Sequence, residues 1–237
     1  MNLAVDIGNT HVKMGLFVKK ELKDVFLKDT DIDHILDAYK IKNAIISKTG
    51  SNDLIAYKLK EKKVNTILLS HDLKLPIKIL YKTPETLGAD RIAGSVAAHA
   101  LFPENNILKI DFGTCITYDY TDSKGHYIGG AISPGLMMRI KALHNYTQNL
   151  PLVDPMQFGS VDLTGTDTTT SILSGVINGI KEEVLGIIKE YNLRFGTLKV
   201  IATGGDMGFF VTLLKSEIFA SPYLVLEGLN RILNFNI

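Results

Sequence analysis

The stretch Leu3-Ala-Val-Asp6-Ile-Gly8-Asn-Thr10 decides the fold expected for this chain of 237 residues. A short apolar run ends in an aspartate and a Gly-Asn-Thr turn, and apolar residues then alternate with others from Val12 to Val18. Alternation with a period of two is typical of β-strands, so the pattern predicts that the chain opens with a hairpin. The carboxylate of Asp6 then lies at the C-terminal edge of the first strand.

The same arrangement recurs 105 residues later, where a second apolar run ends at Asp111 and the turn Phe112-Gly113-Thr114 follows. Alternating apolar residues come after this turn as well. Carboxylate, glycine and threonine therefore appear twice in the same order. We interpret this as an internal duplication, with one half over residues 1–104 and the other over residues 105–237.

Helical and strand patterns alternate along the rest of the chain, which indicates an α/β fold with a mostly parallel sheet faced by helices. Helices are predicted over residues 31–39, 52–63, 85–101, 134–143, 168–191 and 224–233. Buried strands are predicted over residues 44–46 and 66–69, and a further strand over residues 198–202.

Composition and charge exclude several classes of protein. A hydrophobic fraction of 46% with a mean hydropathy of +0.14 supplies a full core, which excludes a disordered regulator. Twenty-six basic and twenty-five acidic side chains give a net charge of +1, so no net field attracts nucleic acid or an anionic membrane. The single cysteine, Cys115, excludes an internal disulfide and cysteine-based zinc sites. No signal peptide or apolar run of about 18 residues is recognisable, so we expect a soluble cytoplasmic protein.

Each of the two aspartate turns has the groups needed to hold a phosphate. The backbone N–H groups and the threonine hydroxyl can face the phosphate, and the glycine keeps the approach open. Because a carboxylate repels phosphate, we expect Asp6 and Asp111 to hold Mg²⁺, with Lys13 as an additional positive charge. One such turn is also explained by an aspartate and a threonine that satisfy their own backbone. Two copies of the turn favour phosphate binding, since loops from duplicated halves would face each other across a cleft and clamp one polyphosphate.

The segment from Tyr81 to Arg91 concentrates polar groups at the start of a predicted helix. In one interpretation Asp90 only favours the helix dipole and Arg91 only pairs with Asp90. In the other, Arg91 grips a substrate carboxylate, and Asp90 accepts a proton from a substrate hydroxyl that attacks the γ-phosphate.

A third turn, Thr203-Gly204-Gly205-Asp206, follows a predicted strand and opens a helix. Its glycines let the backbone lie against a flat ligand such as adenine, or the turn is an ordinary connection with Asp206 as the helix cap. The six histidines show no spacing typical of a transition-metal site, and His11 is expected to face solvent.

Taken together and in this order, the motifs resemble the type III pantothenate kinases, within the actin, sugar-kinase and heat-shock ATPase superfamily. The resemblance runs nearly from end to end. It implies two duplicated ribonuclease H-like halves, each a mixed sheet flanked by helices, with an interdomain cleft. It also implies ATP-dependent phosphorylation of pantothenate, the first step of coenzyme A biosynthesis. The matching segments are residues 6–13, 81–91, 111–114, 129–130, 134–135 and 203–206.

The resemblance also assigns roles to residues. It implies that Asp90 is catalytic and accepts the proton of the pantothenate primary alcohol. Asp111 becomes the ligand of a monovalent cation, K⁺ or NH₄⁺, which revises its assignment to Mg²⁺. ATP is expected at Asp6, Ile7, Gly8, Asn9, Thr10, His11, Val12, Lys13 and Thr114. Pantothenate is expected at Tyr81, Gly88, Ala89, Asp90, Arg91 and Thr168, with Thr166 as a rival for Thr168.

The resemblance implies a homodimer that holds pantothenate partly at the subunit interface, with no nucleic-acid or membrane partner. One alternative is a small sugar or acetate kinase of the same superfamily, which would need a different acceptor pocket. Another is a nucleotide-binding relative without phosphotransfer, which the intact Asp90, Arg91 and Asp111 argue against. A filament-forming or chaperone ATPase is disfavoured because 237 residues leave little room for the insertions such proteins carry.

Overall fold

The computed structural model describes residues 1–8, 11–27, 31–48, 54–158, 161–214 and 218–237. The strands are β1 (Asn2–Ile7), β2 (Val12–Val18), β3 (Glu21–Leu27), β4 (Asn43–Lys48), β5 (Asn65–Leu68), β6 (Lys78–Ile79), β7 (Asn106–Phe112), β8 (Cys115–Thr121), β9 (His126–Pro134), β10 (Leu198–Thr203) and β11 (Ile218–Ala220). The α-helices are α1 (Ile32–Ala38), α2 (Leu54–Glu61), α3 (Ala89–Leu101), α4 (Leu136–Asn145), α5 (Thr168–Phe195), α6 (Met207–Leu214) and α7 (Leu224–Asn236).

Strand order in the two sheets repeats. The first sheet has the order β3-β2-β1-β4-β5, and the second has β9-β8-β7-β10-β11 with β6 added beside β9. Each strand of the first sheet thus has a counterpart six strands later, and the two aspartate turns follow the equivalent strands β1 and β7. The predicted duplicated α/β fold with two sheets flanked by helices is confirmed.

The predicted opening hairpin is confirmed. Strand β1 pairs antiparallel with β2, which places Asp6 opposite Lys13, and parallel with β4. Strand β2 pairs antiparallel with β3, whereas β4 pairs parallel with β5. The sheet is therefore mixed rather than mostly parallel, because hairpins connect its antiparallel strands whereas crossover helices connect its parallel ones.

A different pair of helices packs against each face of the first sheet. Side chains alternate along a strand, so Leu3, Val5 and Ile7 lie on one face of β1 and Ala4 and Asp6 on the other. The Leu3 face packs against α1 and α2, with Ile32, Ile35, Ile55 and Leu59 in the same buried cluster. The Ala4 face packs against α3 and α7, with Ile92, Ala93, Val96, Leu229 and Ile232 in its cluster.

Helices α3 and α7 approach each other through their backbones. A methyl group added to Gly228 of α7 would overlap the carbonyl of Ala93 on α3. A buried amide group also ties α7 to the sheet, because Asn2 Nδ2 donates to Asn230 Oδ1 at 3.0 Å. Helix α7 therefore links the sheet to α3, which carries Asp90 and Arg91 in its first turn.

By its internal contacts the chain forms two compact units. The first comprises Met1–Lys109, Asp119–Gly129 and Tyr223–Ile237, and the second comprises Ile110–Tyr118 and Gly130–Pro222. The halves predicted from the sequence repeat, residues 1–104 and 105–237, are a different division of the chain. These two halves and the cleft expected between them stay predictions. No helix within the described ranges has the length and apolar character needed to cross a membrane.

The predicted helices differ from the observed ones mainly at their ends. The segment expected to be helical from residue 85 begins as a 3₁₀ turn over Pro84–Thr86, and the α-helix starts only after Gly88. Helix α5 extends to Phe195, four residues beyond the predicted end, and stops at Gly196, whose φ of 78° suits glycine.

Candidate active site

Asp90 lies in the first turn of α3, and Gly88 is the N-cap residue of this helix. A methyl group added to Gly88 would lie 2.5 Å from Oδ1 of Asp90. Glycine therefore leaves the space that this carboxylate oxygen fills. The half-buried carboxylate also lies where the positive end of the helix dipole favours an anion.

Arg91, the next residue, is buried and pairs with an acid that is distant in sequence. Its Nε donates to Oδ1 of Asp119 at 2.7 Å, and the residue is only 6% exposed. The Nη2 nitrogen lies 2.7 Å from the same oxygen, but its N–H bonds point elsewhere, so this contact is an ion pair without a hydrogen bond. The interpretation that Arg91 only pairs with its neighbour Asp90 is therefore wrong.

Asp119, on β8, is fully buried and gathers three side chains. Besides Arg91, it accepts a hydrogen bond at Oδ1 from the hydroxyl of Tyr127, at 2.7 Å. Its Oδ2 lies 2.8 Å from Nζ of Lys109, which is itself 1% exposed. A buried carboxylate with this many partners holds all of them in place, because each partner is aimed at a fixed point.

The buried charges shift the pKa values of the cluster. Burial alone would raise the pKa of Asp119, but the positive charges of Lys109 and Arg91 outweigh burial and hold this pKa below its usual range. Burial, with the negative charge of Asp119, raises the pKa of Tyr127. Burial opposes the charge of Arg91, yet Asp119 raises the pKa of its guanidinium. Asp119 is therefore ionised and Tyr127 is a hydrogen-bond donor at neutral pH.

Tyr81 joins this cluster through Tyr127. The two rings meet edge to face, with centroids 6.1 Å apart and planes at 62°. Gly129, two residues after Tyr127, has its added methyl position 3.7 Å from the Tyr81 ring. The structure thus brings together Tyr81 and Arg91, two of the residues expected to bind pantothenate, around one tyrosine.

Sequence reasoning did not single out Lys109, Asp119 or Tyr127. The signal that could have found the first two is a charge inside a strand that is otherwise apolar, since Lys109 stands between Leu108 and Ile110. Buried charges need partners, so such a pattern predicts an ion pair in the core but does not identify its members.

A backbone hydrogen bond closes the base of the first predicted phosphate turn. The backbone N–H of Gly8 donates to the carbonyl of His11 at 3.0 Å, and Asp6 and Lys13 face each other across the strands. His11 is exposed, as expected. Ile7 and Val12 are opposite each other in the last pair of the ladder. The other two residues expected at ATP in this turn, Asn9 and Thr10, lie outside the described residues.

The second turn is braced by two glycines from elsewhere in the chain. Gly135 donates its N–H to the carbonyl of Thr114 at 3.1 Å, and a methyl group on Gly135 would overlap that carbonyl. Gly204 adopts a φ of 100°, and a methyl group there would lie 2.5 Å from Oδ1 of Asp111. The motifs at 111–114, 134–135 and 203–206 therefore meet at the ends of their strands, leaving Thr114 exposed.

The turn after β10 serves as a strand-to-helix connection. Asp206 donates its backbone N–H to the carbonyl of Phe112 at 3.0 Å and accepts, at its own carbonyl, the N–H of Phe210. Burial raises the pKa of the Asp206 carboxyl. The turn thus couples α6 to the second aspartate turn, and adenine binding by its glycines stays a prediction.

Thr168 begins α5 and is exposed. The preceding residue, Asp167, caps the helix by accepting from the N–H of Thr170 at 2.8 Å. The hydroxyl of Thr170 in turn accepts the N–H of Thr166 at 3.0 Å, which fixes the backbone of the rival threonine. The structure leaves the choice between Thr166 and Thr168 as a prediction.

The surroundings of Asp111 bear on the predicted cation site. Within the described part of the chain no group of three or more histidine, cysteine, aspartate or glutamate side chains converges. Instead, one carboxylate oxygen of Asp111 and the carbonyl of Phe112 both pack closely against Gly204, and this carbonyl already accepts the N–H of Asp206. A carboxylate oxygen suits a hard cation, so Asp111 is compatible with K⁺, and the monovalent-cation site stays a prediction.

Comparison with known proteins identifies similar chains. The model of a family described as type III pantothenate kinase matches residues 2–190. A type III pantothenate kinase from Bacteroides fragilis is 45% identical over 241 residues, covering all of this chain and 98% of the relative. A Baf family protein from Campylobacter jejuni has a TM-score of 0.63 at 25% identity, covering 99% of this chain and 98% of that one. A ROK family protein from Streptococcus pneumoniae, at 11% identity, a TM-score of 0.55 and coverage of 99% and 98%, shares the fold.

Proposed function

Because the chain belongs to the type III pantothenate kinase family, we propose that Asp90 is its catalytic base and that Arg91 binds the substrate carboxylate. The enzyme uses ATP to phosphorylate pantothenate, an alcohol acceptor, in coenzyme A biosynthesis. The single observation that carries the proposal is the placement of Asp90 and Arg91 in the first turn of α3, with Arg91 held by a buried acid.

In the reaction, the primary hydroxyl oxygen of pantothenate attacks the γ-phosphorus of ATP. The bond from this phosphorus to the bridging oxygen breaks, ADP leaves, and the hydroxyl proton passes to the Asp90 carboxylate. The transition state of phosphoryl transfer is loose, so orientation and charge neutralisation contribute more than the strength of the base. Arg91, Tyr81, Gly88, Ala89 and Thr168 orient pantothenate in this proposal.

ATP is held by the segment from Asp6 to Lys13 and by Thr114. Lys13 supports this role because it faces Asp6 across the strand pair and brings a positive charge to the first turn. Mg²⁺ would accompany the nucleotide, where it supplies charge neutralisation of the phosphates. A monovalent cation, K⁺ or NH₄⁺, would be held by the Asp111 carboxylate, whose oxygen donors suit it.

The proposal includes a cytoplasmic homodimer whose partner is the small molecule pantothenate, without nucleic acid or membrane. A net charge of +1 supports the absence of a polyanionic partner.

The test is to incubate purified protein with ATP, Mg²⁺ and pantothenate in buffers that contain K⁺, NH₄⁺ or only Na⁺. We expect 4′-phosphopantothenate and ADP, with faster turnover in K⁺ or NH₄⁺ than in Na⁺, and a loss of this difference in Asp111→Asn. Equal rates in all three buffers would refute the cation site. A panel of sugars and acetate, offered in place of pantothenate, tests the other kinase activities.

A further inference from the structure

We propose that Asp119 and Tyr127 are positioning residues that aim the guanidinium of Arg91 at the carboxylate of pantothenate. The inference deepens the proposed function and rests on the binding role of Arg91.

The contacts of Asp119 determine which part of the guanidinium is available. Nε of Arg91 donates to Oδ1, and Nη2 lies 2.7 Å from the same oxygen, so one edge of the planar group faces Asp119. The Nη1 nitrogen takes no part in these contacts. Since a guanidinium is rigid and planar, fixing one edge also fixes the direction of Nη1. Asp119 therefore sets where a second carboxylate can bind.

Tyr127 sets the position of the shared oxygen. Its hydroxyl donates to Oδ1 of Asp119, the same atom that receives Arg91, and Tyr127 is completely buried. The ring of Tyr127 also supports Tyr81 edge to face. One side chain thus contacts the partner of Arg91 and packs against Tyr81, and both Arg91 and Tyr81 are expected to line the pantothenate pocket.

Lys109 holds the other oxygen of the carboxylate. Its Nζ lies 2.8 Å from Oδ2, and its stem packs on Gly94, where an added methyl group would lie 2.8 Å from Cδ. Gly94 lies one turn after Arg91 on α3. Asp119 is therefore held from both sides, which prevents its carboxylate from turning to follow a displaced arginine.

A positioning role differs measurably from a purely structural one. If Asp119 and Tyr127 act through Arg91, weakening them impairs recognition of the substrate carboxylate alone. If they only stabilise the fold, all ligands are affected alike or none is. The discriminating probe is pantothenol, in which a hydroxymethyl group replaces the carboxylate while the phosphate-accepting alcohol remains.

The experiment measures the KM values of pantothenate and ATP and the inhibition constant of pantothenol for the full chain, three variants and one control variant. For Tyr127→Phe, which removes one hydrogen bond, we expect the KM of pantothenate to rise about 3- to 10-fold. For Asp119→Asn we expect kcat/KM for pantothenate to fall about 100-fold. The KM of ATP and the inhibition constant of pantothenol should change by less than about twofold in both variants. Where Asp119→Asn does not yield folded protein, Tyr127→Phe alone decides.

Tyr118→Phe is the matched control. This buried tyrosine also donates to a carboxylate, Oε1 of Glu183 at 2.8 Å. Its hydroxyl is not part of the hydrogen bonds that join Arg91, Asp119 and Tyr127. It should change the melting temperature about as much as Tyr127→Phe but leave the KM of pantothenate unaltered.

The third variant, Arg91→Ala, separates the two levels of the proposal. If it still prefers pantothenate over pantothenol as the parent enzyme does, Arg91 does not bind the carboxylate and the proposed function is wrong at this residue. If it loses the preference while Tyr127→Phe and Asp119→Asn retain it in full, only the positioning role is refuted. A parallel rise for pantothenate and pantothenol in those two variants likewise refutes it.

Discussion

At the scale of single residues, Asp90 carries the chemistry of the proposed reaction. Replacement by asparagine preserves the shape of the side chain but removes the proton acceptor. We expect kcat to fall about 10²- to 10⁴-fold, the usual contribution of a general base, with the KM of ATP unaltered. A coupled assay of ADP release measures both. Turnover within about tenfold of the parent enzyme would show that the hydroxyl proton leaves by another route.

Gly88 gives a second prediction at this scale, because a side chain there competes with Asp90 for space. The atom that a methyl group would meet is the end of a flexible carboxylate, which can turn away with little loss of stability. We therefore expect Gly88→Ala to lower kcat at least about tenfold, since the proposed base is displaced, and to leave the melting temperature within a few degrees.

The control for Gly88→Ala is Gly186→Ala in α5, where an added methyl group meets no atom within 4 Å. This variant should retain full activity and gain about 0.5–1 kcal/mol of stability, as alanine does in the interior of a helix. Full activity in Gly88→Ala would mean that the orientation of Asp90 seen here does not matter for turnover.

At the scale of elements, the contact between α3 and α7 depends on Gly228. A methyl group on this residue would overlap the Ala93 carbonyl, and that carbonyl belongs to a helix backbone that cannot move alone. We expect Gly228→Ala to destabilise the protein by about 3 kcal/mol, at the upper end of overpacking effects. Urea unfolding measures this, with Gly186→Ala as the reference for a harmless glycine replacement. An unchanged unfolding midpoint would contradict the close approach of the two helices.

The link between α4 and α5 should make stability depend on pH. Arg139 pairs with Glu183, which also accepts the hydroxyl of Tyr118. Burial would raise the pKa of Glu183, but these hydrogen bonds outweigh it and lower the pKa below its ordinary value of 4.5. The stabilisation is therefore complete above pH 4.5 and is lost as the pH falls through the lower pKa of the folded state.

Glu183→Gln tests this pH dependence. At pH 7 the variant should be less stable than the parent by about 1 kcal/mol, because the pair is partly exposed to solvent. The melting temperatures of the two proteins, measured from pH 7 to pH 3, should approach each other as the pH falls below 4.5. A difference that stays constant over this range would show that the charge of Glu183 does not contribute.

The elements also show how far sequence reasoning reaches. The opening hairpin, the repeat at Asp111 and the helix that carries Asp90 follow from local patterns, so they were predictable. The cluster of Arg91, Asp119, Lys109 and Tyr127 was not, because its members come from different elements and meet only after the chain folds. Likewise, the pattern around Gly204 indicated a turn, but not that the turn packs against the carboxylate of Asp111.

At the scale of the whole molecule, the mass of the protein in solution tests the proposed homodimer. Sedimentation equilibrium at micromolar concentration should give twice the chain mass of 26.1 kDa. If pantothenate lies partly at the subunit interface, its KM should rise as the enzyme is diluted below the dissociation constant of the dimer, since a ligand that binds only the dimer is linked to assembly. A monomer with full activity at every concentration would exclude the shared site.

Helix α7 has a consequence for how the protein is made. It belongs to the first compact unit, yet it is translated long after α3, the helix against which it packs. While the ribosome is still synthesising the second unit, the apolar side of α3 that will meet α7 has no partner. The growing polypeptide therefore passes through a stage in which the proposed base exists but its supporting helix does not, and chaperones have their opportunity to bind during that stage.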